Sequence, residues 1–204
     1  MEEEILKVEK DTMQIEEKTR INIAYIDATN LDKALRNQLG WKIDYKRFRV
    51  WLKEKYDVRR PYIFIGLIPK FKDLYTFIQS CGFELEFKDV IYAGGIAKGN
   101  CDSDLLMKAS SDYYIGGLNK AVIVASDGDY APLVKVLLGG NRLEVILSPS
   151  TVDKCSILLK RTNAPITYIN DQRSILELKD NSEILTSLNE KAPDVDKTTL
   201  GSSS

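Results

Sequence analysis

The sequence predicts an α/β fold, a mostly parallel central sheet flanked by helices on both faces. Short, unbroken apolar runs rich in Val and Ile recur along the chain, the pattern of strands buried on both sides. Between them lie helical stretches that stop at glycine, a residue that accepts the left-handed conformation without penalty. The 204 residues are 44% hydrophobic, enough for one sizeable core.

Residues 21–27 (INIAYID) form the first buried run, followed by 62–68 (YIFIGLI), 121–126 (AVIVAS) and 143–148 (LEVILS), with 166–169 (ITYI) as a weaker fifth. Residues 83–90 (FELEFKDV) alternate instead, as an edge or half-exposed strand does. Helices are expected over 44–56, where Phe48, Leu52 and Tyr56 are spaced by four, and over 71–81 before Gly82. Further helices are expected over 102–115 before Gly116-Gly117, 131–138 before Gly139-Gly140, and 151–159 ahead of the last strand. Strands separated by helices need right-handed crossovers, and these wind helices onto both faces of the sheet.

Charge divides the chain into three parts. Lys and Arg total 29 against 30 Asp and Glu, but residues 1–20 and 171–204 each hold seven acids and four bases, leaving 21–170 with 16 acids and 21 bases. We therefore expect an acidic N-terminal extension (1–20), one basic domain (21–170) and an acidic C-terminal segment (171–204), whose end is disordered. Ile175, Leu178, Leu185 and Leu188 predict a C-terminal helix, docked on the domain or pairing with a second copy of the chain. A basic centre suits an anionic partner.

Composition also excludes chemistry. With no histidine, there is no Ser-His-Asp or Cys-His catalysis and no HExxH zinc site. Cys81, Cys101 and Cys155 are odd in number and widely spaced, so they form no disulfide framework or zinc motif and fit a reduced compartment. The opening MEEEILKVEK lacks the charge and apolar run of a signal peptide, and no stretch approaches a membrane span. The expected location is cytoplasmic. The absence of GxxxxGK[ST] excludes a P-loop NTPase.

In open parallel sheets, ligands bind beyond the carboxyl ends of the strands. The first run ends at Asp27-Ala28-Thr29-Asn30, the run at 121–125 ends at Ser126-Asp127-Gly128-Asp129, and Lys98-Gly99-Asn100-Cys101-Asp102-Ser103-Asp104 opens a helix. Each acid has an ordinary local role as a helix cap or turn residue. Together, on one sheet edge, they would repel at ~4 Å and need a counter-charge. Carboxylates without His or Cys favour Mg2+ or Mn2+, a cation that activates water and offsets phosphoryl charge.

Three of these segments resemble the motifs of NYN-domain (LabA-like) proteins of the PIN-like nuclease superfamily. IDATN (26–30) resembles the family's IDGxN, KGNCDSDL (98–105) its KGNVDxxL, and ASDGDYAPLV (125–134) its SGDGDFxPLV. The resemblance spans about 21–170. It implies a PIN-like three-layer fold and a metal-dependent endoribonuclease, with Asp27, Asp102, Asp127 and Asp129 at a Mg2+ or Mn2+ site and Asn30, Lys98, Asp104 and Ser126 around the metal or phosphate. Two departures stand out. Ala28 replaces a glycine, and Lys108 stands where many relatives carry another acid, with Asp104 and Asp112 one turn away as substitutes.

Residues 33–60 hold ten bases against Asp44, Glu54 and Asp57. Trp41, Tyr45, Phe48, Trp51 and Tyr56 are interleaved with them. Arg36, Lys46, Arg47, Arg49 and Lys53 are the candidate phosphate contacts, and the aromatics either stack on bases of single-stranded RNA or line the core of an amphipathic helix. Two other readings compete with the nuclease. One is a non-catalytic RNA-binding or scaffold module, favoured by Lys108. The other is a haloacid-dehalogenase-like phosphatase, which needs D-x-D after the first strand and finds Thr29 in place of the second acid.

Overall fold

The structure, a computed structural model, describes residues 20–179 apart from 89, 90, 94, 95, 99 and 100. The N-terminal extension and the helix expected around Leu185 and Leu188, with its proposed pairing role, lie outside the described residues. The chain builds β1 (Ile21–Asp27), β2 (Val58–Gly66), β3 (Glu84–Lys88), the short pair β4 (Ile91–Ala93) and β5 (Ile96–Lys98), then β6 (Leu118–Val124), β7 (Leu143–Ser148) and β8 (Ile166–Tyr168). Its helices are α1 (Ala28–Asp32), continued by a π-turn over Lys33–Gln38, α2 (Tyr45–Tyr56), α3 (Lys72–Ser80), α4 (Asp102–Ile115), α5 (Ala131–Gly139), α6 (Ile157–Lys160) and α7 (Arg173–Leu176).

Six strands form one all-parallel sheet in the order β3-β2-β1-β6-β7-β8, and β4 and β5 form a separate antiparallel pair. From β1 the chain moves outward through β2 to β3, then returns past β1 and moves the other way. The two halves meet between β1 and β6, and this reversal opens a crevice at the carboxyl edge. β3 is the edge strand, as its alternation predicts.

Side chains of β1 alternate between two cores, because neighbouring residues of a strand face opposite ways. Ile23 and Tyr25 pack with Leu105 and Ala109 of α4 and Val134 and Leu137 of α5. Ala24 and Ile26 pack with Leu31 and Leu35, with Phe48 and Leu52 of α2, and with Ile78 of α3. Helices therefore cover both faces.

Local departures have physical reasons. β2 begins at Val58, ahead of the apolar run, because only its β1 side is paired there; pairing with β3 starts at Tyr62. That leaves room for Arg59 and Arg60, with Arg60 ion-paired to Glu84 at 2.9 Å, and for Pro61, which has no amide proton to donate. The helix expected over 151–159 is instead a turn followed by the four-residue α6, capped by the Ser156 hydroxyl, which accepts from the Leu158 amide. Among the described residues no helix is long and apolar enough to cross a membrane.

Candidate metal centre

β1 and β6 deliver their last residues to the two sides of the crevice. Asp27 caps α1 with Oδ1, which accepts from the Asn30 amide at 3.0 Å. Asp127 caps the turn Gly128–Tyr130, accepting from the Asp129 amide at 3.2 Å. The Asp127 cap uses one oxygen, so capping and ligand binding are compatible at that position. α4 begins at Asp102, and its first turn brings a third carboxylate to the same edge.

Asp102, Asp127 and Asp129 each offer a carboxylate oxygen, all within 4.8 Å of one another. This acidic triad has the all-oxygen donor set and the spacing that a hard divalent cation takes. Asp127 and Asp129 are exposed and Asp102 is half-buried, so the cluster opens to solvent.

Asp27 stands behind the triad. It is 5% exposed, and its Oδ2 lies 3.0 Å from the Tyr130 hydroxyl, which lies 2.7 Å from Asp102 Oδ1. The single Tyr130 hydroxyl proton lies between the two carboxylates and is donated to one of them at a time. Burial, and to a lesser degree the Asp102 charge, pushes the Asp27 carboxyl above its ordinary value, opposed by the Asn30 and Thr29 amides and the Tyr130 hydroxyl. Burial and the two neighbouring carboxylates push the Tyr130 phenol far up, and it stays a donor. Tyr130 lies within the SDGDY motif, but nothing in its residue type announced that its hydroxyl would join two acids.

Asn30 ties the two halves of the crevice together. Its Oδ1 accepts from both the amide and the hydroxyl of Ser126, each at 2.9 Å, and Ser126 Oγ lies 2.8 Å from Ser150 Oγ. Asn30 and Ser126 thus hold the exit of β6, one residue before Asp127. Asp104 turns away, ion-paired with Lys88 at 2.8 Å. Lys98 ends β5, and the role expected for its side chain lies outside what the structure describes. Lys108 binds Asp112 at 2.7 Å and lies 4.7 Å from the Tyr62 ring centroid. Asp112 also accepts from Tyr25, so neither Asp104 nor Asp112 joins the triad as a substitute acid.

The aromatics of 33–60 are core, which corrects the stacking role considered for them. Trp41, Phe48, Trp51 and Tyr56 are all buried, and Tyr45 is half-buried against Phe83. The bases divide by position. A helix joining parallel strands runs against them, so α2 starts at the acidic edge and ends at the opposite one, where the Tyr56 carbonyl accepts from Asn22 near the start of β1. Lys46 and Arg47 are therefore near the acidic edge, with Arg36, which pairs with Asp32. Arg49 and Lys53 lie further along towards the far edge, and the Arg49 guanidinium is occupied by the carbonyls of Gly82, Val58 and Arg59.

Gly128, between two triad acids, is held by close approach. A Cβ there would meet Ser156 Oγ at 2.6 Å and Leu158 Cδ1 at 3.0 Å. Gly128→Ala is expected to destabilise the fold by about 1–3 kcal/mol, the scale of overpacking, and to weaken Mn2+ binding by shifting Asp127 and Asp129. Thermal melts and a Mn2+ titration check this, with Gly117→Ala, which meets nothing within 4 Å, as the harmless comparison.

Comparison with known proteins agrees with this architecture. A solved structure of a protein of unknown function from Vibrio parahaemolyticus shares the fold, with a TM-score of 0.63 at 20% sequence identity over 78% of this chain and 98% of that one. No curated protein matches the sequence. The NYN domain family model matches residues 22–162, which takes in both strand-end segments and the start of α4. The chain belongs to the NYN-domain family of the PIN-like nuclease superfamily.

Proposed function

We propose that the protein is a metal-dependent endoribonuclease acting on single-stranded RNA, with Mg2+ or Mn2+ as its cation. The observation that carries the reading is the triad Asp102, Asp127 and Asp129, three carboxylate oxygens within 4.8 Å of one another at the point where the sheet order reverses. Donors of this kind fit a hard cation, and the chain has no histidine to supply the alternative proton chemistry.

Asp102, Asp127 and Asp129 would hold the cation. Once bound, such a cation offsets charge on the phosphoryl group and lowers the pKa of a water molecule. Tyr130 positions Asp102 through its hydroxyl and is itself held by Asp27. Asn30 and Ser126 fix the end of β6 and so aim Asp127. Lys88, paired with Asp104, offsets part of the acidic charge. Arg36, Lys46 and Arg47 are the bases best placed to lead RNA to this edge, and Arg49 and Lys53 are the worst placed. The unbridged thiols of Cys81, Cys101 and Cys155 suit a cytoplasmic location.

Incubating the protein with mixed single-stranded and structured RNA in Mn2+, Mg2+ and EDTA tests the reading. Cleavage of single strands in the metal arms and none in EDTA is the expected result. RNA bound but intact in every arm would replace the nuclease with a non-catalytic RNA-binding module.

A further inference from the structure

We propose that the groove beside the amino end of α1 is a subsite for one unpaired nucleotide of the RNA, an inference that rests on the nuclease reading above. The groove offers about 410 Å³ of open space, within the range of roughly 300–1,000 Å³ that holds small ligands. It begins at Ala28 and Thr29, the residues that follow Asp27, and its floor is the end of β2 at Ile65 and Gly66. A nucleotide in it would enter the same carboxyl edge as the triad.

The walls combine the two chemistries a nucleotide needs. On one side Phe71 lines the groove with 40% of its surface exposed, and Lys70 Nζ sits 5.0 Å from its ring centroid. Lys33, which is exposed, also lines the groove, together with Arg36 and its ion-pair partner Asp32. An aromatic face takes a base and the cations take its phosphates. A duplex keeps its bases stacked and cannot offer one to the ring, so the occupant is unpaired.

The groove is also preformed. The Tyr75 hydroxyl donates to the Gly66 carbonyl at 2.8 Å and accepts from the Ile68 amide at 2.9 Å, holding the loop that presents Phe71. A loop fixed in this way loses little freedom on binding. Trp41, Phe48, Trp51 and Tyr56 are buried and Tyr45 half-buried, and among the rings that line this groove Phe71 is the exposed one.

The test uses a fluorescent single strand of about ten nucleotides and a matching duplex, followed by anisotropy in EDTA, and cleavage in Mn2+. Phe71→Ala and Lys33→Ala change exposed side chains and should melt like the wild type. Each is expected to weaken single-strand binding about tenfold and to raise KM for cleavage while kcat holds. Phe71→Ala should leave duplex affinity unchanged. Lys120→Ala, at the start of β6 and bound to Asn141, should change neither. Wild-type affinity for the single strand in Phe71→Ala overturns the subsite, as does equal loss for strand and duplex or a wild type that binds no RNA. A wild type that binds the strand but leaves it intact in Mn2+ defeats the nuclease reading instead, and the Phe71 comparison still decides the groove.

Discussion

Replacing Asp127 with asparagine is expected to lower Mn2+-dependent RNA cleavage about a thousandfold or more, a loss of about 4 kcal/mol of transition-state stabilisation, with the melting temperature almost unchanged. The two effects separate because Asp127 does two jobs with different atoms. Its Oδ1 accepts from the Asp129 amide, and an asparagine oxygen caps that turn as well as a carboxylate does. The charge does the other job, completing with Asp102 and Asp129 the acidic triad. Amide for carboxylate keeps shape and cap while removing one full ligand charge from a site whose affinity depends on charge. RNA affinity in EDTA should hold or tighten slightly, since the variant repels phosphate less. Cleavage time courses, Mn2+ titration and anisotropy on the same preparation measure all three. Asp127→Asn cleaving at the wild-type rate would remove the triad from the mechanism, and loss of RNA binding together with cleavage would make Asp127 a structural residue.

The sheet was legible in the sequence because its strands are buried on both faces. The runs 21–27 and 143–148 coincide with β1 and β7, and the helix over 102–115 coincides with α4. What was illegible follows from partial burial. Val58-Arg59-Arg60-Pro61 does not read as strand because its β3 side is unpaired. Residues 151–159 read as helix, yet Cys155 and Leu159 alone face the core while Val152, Ile157 and Leu158 are half or more exposed, and only the last turn is helical. At the site, the motifs predicted the segments and not the contacts. The resemblance implies Asp27 as a central metal-site acid, whereas in the structure its two oxygens accept from the Asn30 amide and the Tyr130 hydroxyl. The charge run 33–60 predicted a binding face, but charge along a sequence does not say at which end of a helix it emerges. The reversal of α2 against the strands carries Arg49 and Lys53 away from the acids.

Asp27→Asn should stabilise the metal-free protein, by an amount that depends on pH. Burial raises the Asp27 carboxyl above its ordinary range, and the nearby Asp102 charge acts in the same direction. A raised carboxyl pKa means that the folded protein holds the proton more tightly than the unfolded chain. The group's contribution to stability is therefore full below the unfolded value of ~3.9 and is lost as pH rises through the folded value. Above that folded value the ionised side chain, 5% exposed, is a cost to the fold. Asparagine removes that cost and keeps the contacts, because its oxygen can cap α1 and its amide can donate to the Tyr130 oxygen while Tyr130 donates to Asp102. The Tyr130 proton is thereby left to Asp102. In EDTA near neutral pH the variant is expected to melt about 2–4 °C higher, the shift that about 1 kcal/mol produces in a domain of this size. The gap should close as pH falls through the raised folded value, where wild-type Asp27 takes up its own proton. Melting curves from neutral to acid pH decide the matter: a variant less stable than the wild type at neutral pH, or a gap indifferent to pH, would mean that Asp27 is held ionised by a partner other than Tyr130 and the Asn30 and Thr29 amides.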